Sequence, residues 1–229
     1  MKRILEQVYE PDRKTGFDRN YWIWKEPDPH REYLLVADVA RGDGTDFSVA
    51  HVFDVQTMEQ VAEYQGKITP DMFAPHLFSM ASEYNSALMV IENNSLGIGV
   101  LSRLQDLDYK NLYYSIKSTH EYVDEVSANA LGGVAGFTMS MKTRPLVIAK
   151  LEEFFREKAV EVQSHRLIDE LFVFIYNGQK AEAMRGYNDD LVMSFAMGLW
   201  IRETALRLRA EGIELSKRTL SNVNAHQGL

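Results

Sequence analysis

Two short stretches of this chain are apolar at every position, and each is closed by an acid. Tyr33-Leu34-Leu35-Val36-Ala37 runs into Asp38, and Ala87-Leu88-Met89-Val90-Ile91 runs into Glu92. A strand with one face in water alternates apolar and polar residues, so a run without alternation belongs to a central strand covered on both faces. That demands helices on both faces of a sheet, and hence an α/β architecture. Residues 47–53 and 60–65 read as second and third strands, with a turn around 54–57 between them, which makes an antiparallel meander of the first three.

The rest of the chain fills in the layers. Pro70 stands at a first helical position after Thr69, and Phe73, Leu77, Met80 and Ala81 keep helical spacing, which predicts a helix over 70–84. A helix over 99–107 and a short strand over 112–116 complete two βα-type units. Residues 117–141, with Gly132, Gly133 and Gly136, suggest a long loop or hairpin excursion. An amphipathic helix is expected over 146–158 with Leu146, Ala149, Leu151 and Phe154 toward the core, then a short strand over 160–163 and a helix over 166–174 capped by Ser164. The last helix, 190–206, is apolar almost all round and must lie under other structure. The polar segment 1–31, broken by Pro11, Pro27 and Pro29, reads as a linker arm whose aromatics Tyr21, Trp22 and Trp24 dock somewhere. One domain over 32–210 follows, with a polar tail over 211–229.

The chain has 229 residues, enough for one substantial core but too few for two full α/β domains. It has no cysteine, so any metal must be held by oxygen or histidine, which favours a hard cation such as Mg²⁺ or Mn²⁺. No apolar run reaches the roughly 18 residues of a membrane span, and nothing at the start reads as a signal peptide, so the expected location is the cytoplasm. The net charge of −8 argues against a free-standing protein that grips DNA by its overall field. A separate domain or partner would have to supply most of such a grip.

Asp38 leads into the turn-rich Arg41-Gly42-Asp43-Gly44-Thr45-Asp46, and Glu92 stands in Val90-Ile91-Glu92-Asn93-Asn94. Singly, each has an ordinary reading, as a turn residue or as a solvated strand end. Together they close the two most buried strands, and adjacent central strands would set them side by side, where like charges repel unless cations hold them. Asn188-Asp189-Asp190 opens the most buried helix; Asp189 fits its N-cap, and Asp190 is drawn toward the sheet. Such a cluster suits two divalent cations about 4 Å apart in an in-line phosphodiester displacement, with no nucleophilic side chain. His51, His76 and His165 lack ligand spacing and read as structural or surface residues. Gly97-Ile98-Gly99 lacks the third glycine of a dinucleotide site.

A three-strand meander with an Asp on its first strand, an acid ending the fourth strand and a late acidic helix resembles the ribonuclease H-like nucleases. More narrowly, residues 38–48, Ile91-Glu92-Asn93, Gly136-Phe137-Thr138 and Asp189-Asp190-Leu191-Val192-Met193-Ser194 are similar to the nuclease domains of phage terminase large subunits of the T-even type, over about residues 21–203. The resemblance implies a mixed sheet of five or more strands with helices on both faces. It implies metal-binding catalytic acids at Asp38, Glu92 and Asp190, with Asp189 the rival for the third place and Asp46 an auxiliary acid. It further implies two Mg²⁺ or Mn²⁺ ions and cleavage of double-stranded viral DNA during genome packaging. The partners would be the terminase ATPase domain, the small subunit and the portal protein, in the host cytoplasm and transiently at the procapsid portal.

The family's motor carries a phosphate-binding loop, whereas Gly66-Lys67-Ile68 lacks both the upstream glycine and the hydroxyl residue, so the expectation is a nuclease half without its motor. Tyr187 stands where some relatives have a histidine. Arg41, Lys117, Lys142, Arg144, Lys180 and Arg185 are the expected phosphate contacts. Two other readings compete: a docking module whose acids merely cap, and a sugar-kinase or actin-like ATPase fragment, which needs two large lobes.

Overall fold

Successive side chains along a strand point to opposite faces, so residue parity decides which layer each joins. The computed structural model describes residues 8–115, 122–123 and 132–202. Its main sheet has six strands: β1 (Arg13–Thr15), β2 (Tyr21–Ile23), β3 (Tyr33–Asp38), β4 (Ser48–Asp54), β5 (Gln60–Gly66) and β6 (Leu88–Ile91), in the order β1-β2-β5-β4-β3-β6. Every neighbouring pair is antiparallel except β3 and β6, which are parallel. Helix α1 (Pro70–Glu83) carries the crossover between β5 and β6, and α2 (Ser95–Asp106) follows β6. Strands β7 (Tyr114–Ser115), β8 (Tyr122–Val123) and β9 (Val134–Ala135) form a small second sheet. Then come α3 (Thr143–Glu157), α4 (His165–Val173), the hairpin of β10 (Phe174–Asn177) and β11 (Lys180–Ala183), and α5, whose described residues are 190–202.

Parity splits the interior into two cores. Leu34, Val36, Leu88 and Val90 face Val147 and Leu151 of α3, Leu167 of α4 and the apolar length of α5. Leu35, Ala37, Met89 and Ile91 face α1 and α2 through Phe73, Leu77, Val100 and Leu104. Asp38 and Glu92 continue the first set, so both emerge on the α5 face.

A buried polar chain ties these layers together. The Leu191 carbonyl can only accept, so His51 Nε2–H donates to it at 3.0 Å, and Nδ1 accepts from Gln60 Nε2 at 2.9 Å. Gln60 Nε2 also donates to Glu63, whose other oxygen accepts from Ser164 Oγ and from Arg166 Nε. Burial lowers His51 below the usual histidine range, and this neutral tautomer satisfies every partner. Arg166 also stacks on Trp22, 3.5 Å from the ring centre.

Several elements depart from the sequence reading. Within the expected linker arm, β1 and β2 extend the sheet and Tyr21, Trp22, Ile23 and Trp24 are buried, because β2 pairs with the edge of β5. Strands of three residues are too short to display a period. Helix α2 starts at Ser95 because Asn94 caps it, and α3 starts at Thr143 with Val147 and Ile148 inward while Leu146 and Ala149 are exposed. The β10–β11 hairpin was not expected, and residues 112 and 161 make only isolated bridges outside the strands. Most of the expected 117–141 loop and the 211–229 tail lie outside the described residues. Among the described residues no helix is long and apolar enough to cross a membrane.

Candidate metal centre

Ladder register sets the first two acids side by side. Ala37 pairs with Ile91, and the next bond runs from the Glu92 N–H to the Ala37 carbonyl at 3.1 Å, so Asp38 and Glu92 end neighbouring strands. Standing side by side at a half-buried site, the two carboxyls repel each other when both are ionised, unless a cation lies between them. Burial, and then the charge of Glu92, raises Asp38 above the ordinary aspartate range; burial raises Glu92 as well. Asp38 also accepts the Val39 N–H at 2.7 Å. Glu92 is fixed through its backbone by α2: a Cβ at Gly97 would lie 1.8 Å from the Glu92 carbonyl oxygen, so only glycine permits this approach.

Asp190 stands on the first turn of α5, where the Phe47 N–H donates to its Oδ2 at 2.9 Å and Asn188 Nδ2 donates at 3.4 Å. Burial first, then Asp38, Asp46 and Asp189, pushes its carboxyl up to about 6. A cleft of about 440 Å³ opens here, lined by Asp38, Arg41, Asp46, Asn94 and Asp190 among others.

Asp189 corrects the sequence reading. It holds the N-cap position, since the Met193 N–H donates to its carbonyl at 2.8 Å, but its carboxylate does not cap. Instead Asp189 Oδ2 accepts from Arg144 Nη2 at 2.7 Å. The Leu191 and Val192 N–H groups donate to Glu170 Oε2 of α4, at 2.9 and 3.2 Å. Burial drives the Glu170 carboxyl up to about 8 against the pull of those two donors.

Among the described residues no three of these side chains are drawn into one ready coordination set. The Val39 N–H holds Asp38, Arg144 holds Asp189, and the Phe47 N–H holds Asp190. The donor chemistry nevertheless fits a hard divalent cation: every donor is oxygen, and among these acids only Asp189 has a guanidinium beside it to offset its charge.

No family model matches this chain. Among solved structures it is similar to the large terminase nuclease of thermophilic phage G20c, crystallised with magnesium, at 17% identity and a TM-score of 0.64, over 86% of this chain and 94% of that one. The chain has the ribonuclease H-like fold of the large terminase nucleases. The nuclease domain of the Thermus phage P74-26 large terminase aligns at 19% identity and a TM-score of 0.57, over 85% and 91% of the two chains. A manganese-soaked, inhibitor-bound human cytomegalovirus terminase nuclease domain aligns at 9% and 0.50, over 88% and 94%.

On this terminase-nuclease fold the expected DNA contacts divide. Arg41 lines the cleft but is paired with Asp43, and Lys180 on the hairpin is paired with Glu182. Arg144 is half-buried and directs its Nη2 to Asp189 and to the Ala181 carbonyl. Lys142 and Arg185 are exposed, and Lys117 lies outside the described residues. Sequence reasoning missed Glu170 and the partnership of Arg144 with Asp189. Both contacts join residues far apart in sequence, and neither leaves a periodic or motif signal.

Proposed function

We propose that this chain is the metal-dependent endonuclease domain of a terminase large subunit, cutting double-stranded DNA during viral genome packaging by two-metal phosphodiester hydrolysis. The observation that carries the reading is the side-by-side placing of Asp38 and Glu92 at the ends of the two parallel central strands, with Asp190 lining the same cleft as Asp38. Asp38, Glu92 and Asp190 would hold Mg²⁺ or Mn²⁺, with Asp189 beside them and Asp46 at the exposed rim. Bound there, such cations would acidify the attacking water and offset charge developing on the phosphodiester.

The chain's own groups prepare that chemistry. Burial raises both the Asp38 and Glu92 carboxyls, and cationic charge between them would favour their ionised, ligating forms. The Phe47 N–H keeps Asp190 aimed at the cleft, and Arg144 keeps Asp189 from swinging to water. Arg41, Lys142, Lys180 and Arg185 offer phosphate contacts around the opening. With a net charge of −8, the main DNA grip falls to the ATPase motor domain, the small subunit or the portal, in the host cytoplasm at the procapsid.

Plasmid nicking tests the reading. Supercoiled DNA incubated with the purified chain is expected to be nicked and linearised with Mn²⁺ or Mg²⁺ and left intact with chelator. DNA left intact under all conditions, by a folded protein, would favour a docking module whose acids only cap.

A further inference from the structure

Helix α5 carries two of the acids, yet neither of them caps it. An α-helix leaves its first N–H groups without intrahelical partners, and an N-cap Asp ordinarily accepts one or two of them. Asp189 occupies that position, but its carboxylate is turned away to Arg144. The acceptor comes from another helix: Glu170 Oε2 takes the Leu191 and Val192 N–H groups at 2.9 and 3.2 Å, and Oε1 accepts from Gln65 Nε2 of β5 at 3.4 Å.

We propose that Glu170 is a positioning residue for the metal centre, which accepts the first-turn N–H groups of α5 so that neither Asp189 nor Asp190 has to cap the helix, leaving Asp190 for the cleft and Asp189 for Arg144 beside it. This rests on the nuclease reading above. Glu170 is itself well anchored. One turn earlier on α4, Arg166 bonds Glu63 at 2.8 Å and stacks on Trp22, and Ser164 caps α4 while bonding Glu63. The cap is therefore referenced to the sheet that also carries Asp38, and the α5 acids are set at a fixed distance from that strand.

Outer groups that orient metal ligands are worth about 10- to 100-fold in metal affinity or activity. The test uses the full chain with Glu170→Gln, Glu170→Ala and Glu170→Met, the last keeping volume while removing the acceptor. Mn²⁺ binding is read by titration calorimetry, and the Mn²⁺ concentration for half-maximal plasmid nicking is read beside it, at a temperature where circular dichroism shows each variant folded. Glu170→Ala and Glu170→Met are expected to bind Mn²⁺ about tenfold more weakly and to need correspondingly more for nicking. Their DNA affinity in chelator should be unchanged. Glu170→Gln, whose amide oxygen can accept the same N–H groups, should recover most of the loss.

Wild-type Mn²⁺ affinity in Glu170→Met, or a Glu170→Gln as impaired as Glu170→Met, overturns the role assigned to Glu170. A wild-type chain that neither binds Mn²⁺ nor nicks DNA would instead defeat the nuclease reading on which it rests.

Discussion

An acid buried without a cation costs stability and, with one, does chemistry, so stability and activity at Asp38 should pull in opposite directions. Asp38→Asn keeps the shape and removes a charge that burial and Glu92 both oppose. In chelator it should melt a few degrees above wild type, as relief of about 1 kcal/mol gives about 2–4 °C in a domain of this size. Nicking with Mn²⁺ should fall by at least about 100-fold, since a ligand and not merely its support is lost. A variant that is less stable and still active would contradict both halves. Asp190 gives the pH counterpart. Its folded carboxyl is raised to about 6, above the unfolded value, so the folded state holds a proton that the unfolded chain has released. Its contribution is present below about pH 4 and is lost as pH rises through about 6. Melting in chelator at about pH 4 and about pH 7 should therefore show a larger loss for wild type than for Asp190→Asn, and equal losses would mean that Asp190 ionises freely.

Elements set these residues by close approach more than by individual strong bonds. The first turn of α2 lies against the end of β6, and a Cβ at Gly97 would meet the Glu92 carbonyl at 1.8 Å. Gly97→Ala must displace α2 or the strand end, at a cost of about 1–3 kcal/mol, readable as a lowered urea midpoint together with slower nicking. A midpoint and rate equal to wild type would show that the approach is not constrained. At this scale the sequence was legible where a period or a cap was long enough to read. The unalternating runs announced β3 and β6, and Thr69-Pro70 announced α1. The three-residue strands β1 and β2 carried no period and were hidden in a polar, proline-bearing segment. Asn94 was a cap whose first helical turns carry Gly97 and Gly99, poor helix formers that pushed the expected start later. Asp189 carried the signal of a capping residue, and only the tertiary approach of Arg144 and Glu170 diverts that role.

Among the described residues the main sheet lies between two cores, with Asp38 and Glu92 at the ends of the strands that both cores bury. The placing of Asp38 beside Glu92 was legible because parity and adjacency follow from two apolar runs alone. The cap supplied by Glu170, and the engagement of Arg144, depend on how α3 and α4 cross α5, which no local pattern encodes. A cation bound only by the folded chain must stabilise it, by about 2.7 kcal/mol at a hundredfold excess over its dissociation constant. Mn²⁺ should accordingly raise the melting temperature by roughly 5–10 °C at that excess, and chelator should reverse the rise. An unchanged melting temperature would mean that the folded chain binds no ion.

Anomalous scattering from a crystal soaked in Mn²⁺ asks whether Asp38, Glu92 and Asp190 make one metal centre. Anomalous density is expected between these three carboxylates, with oxygen–metal contacts of about 2.0–2.3 Å. Density at other places only, or none beside these carboxylates, would mean that the three acids do not hold a metal together.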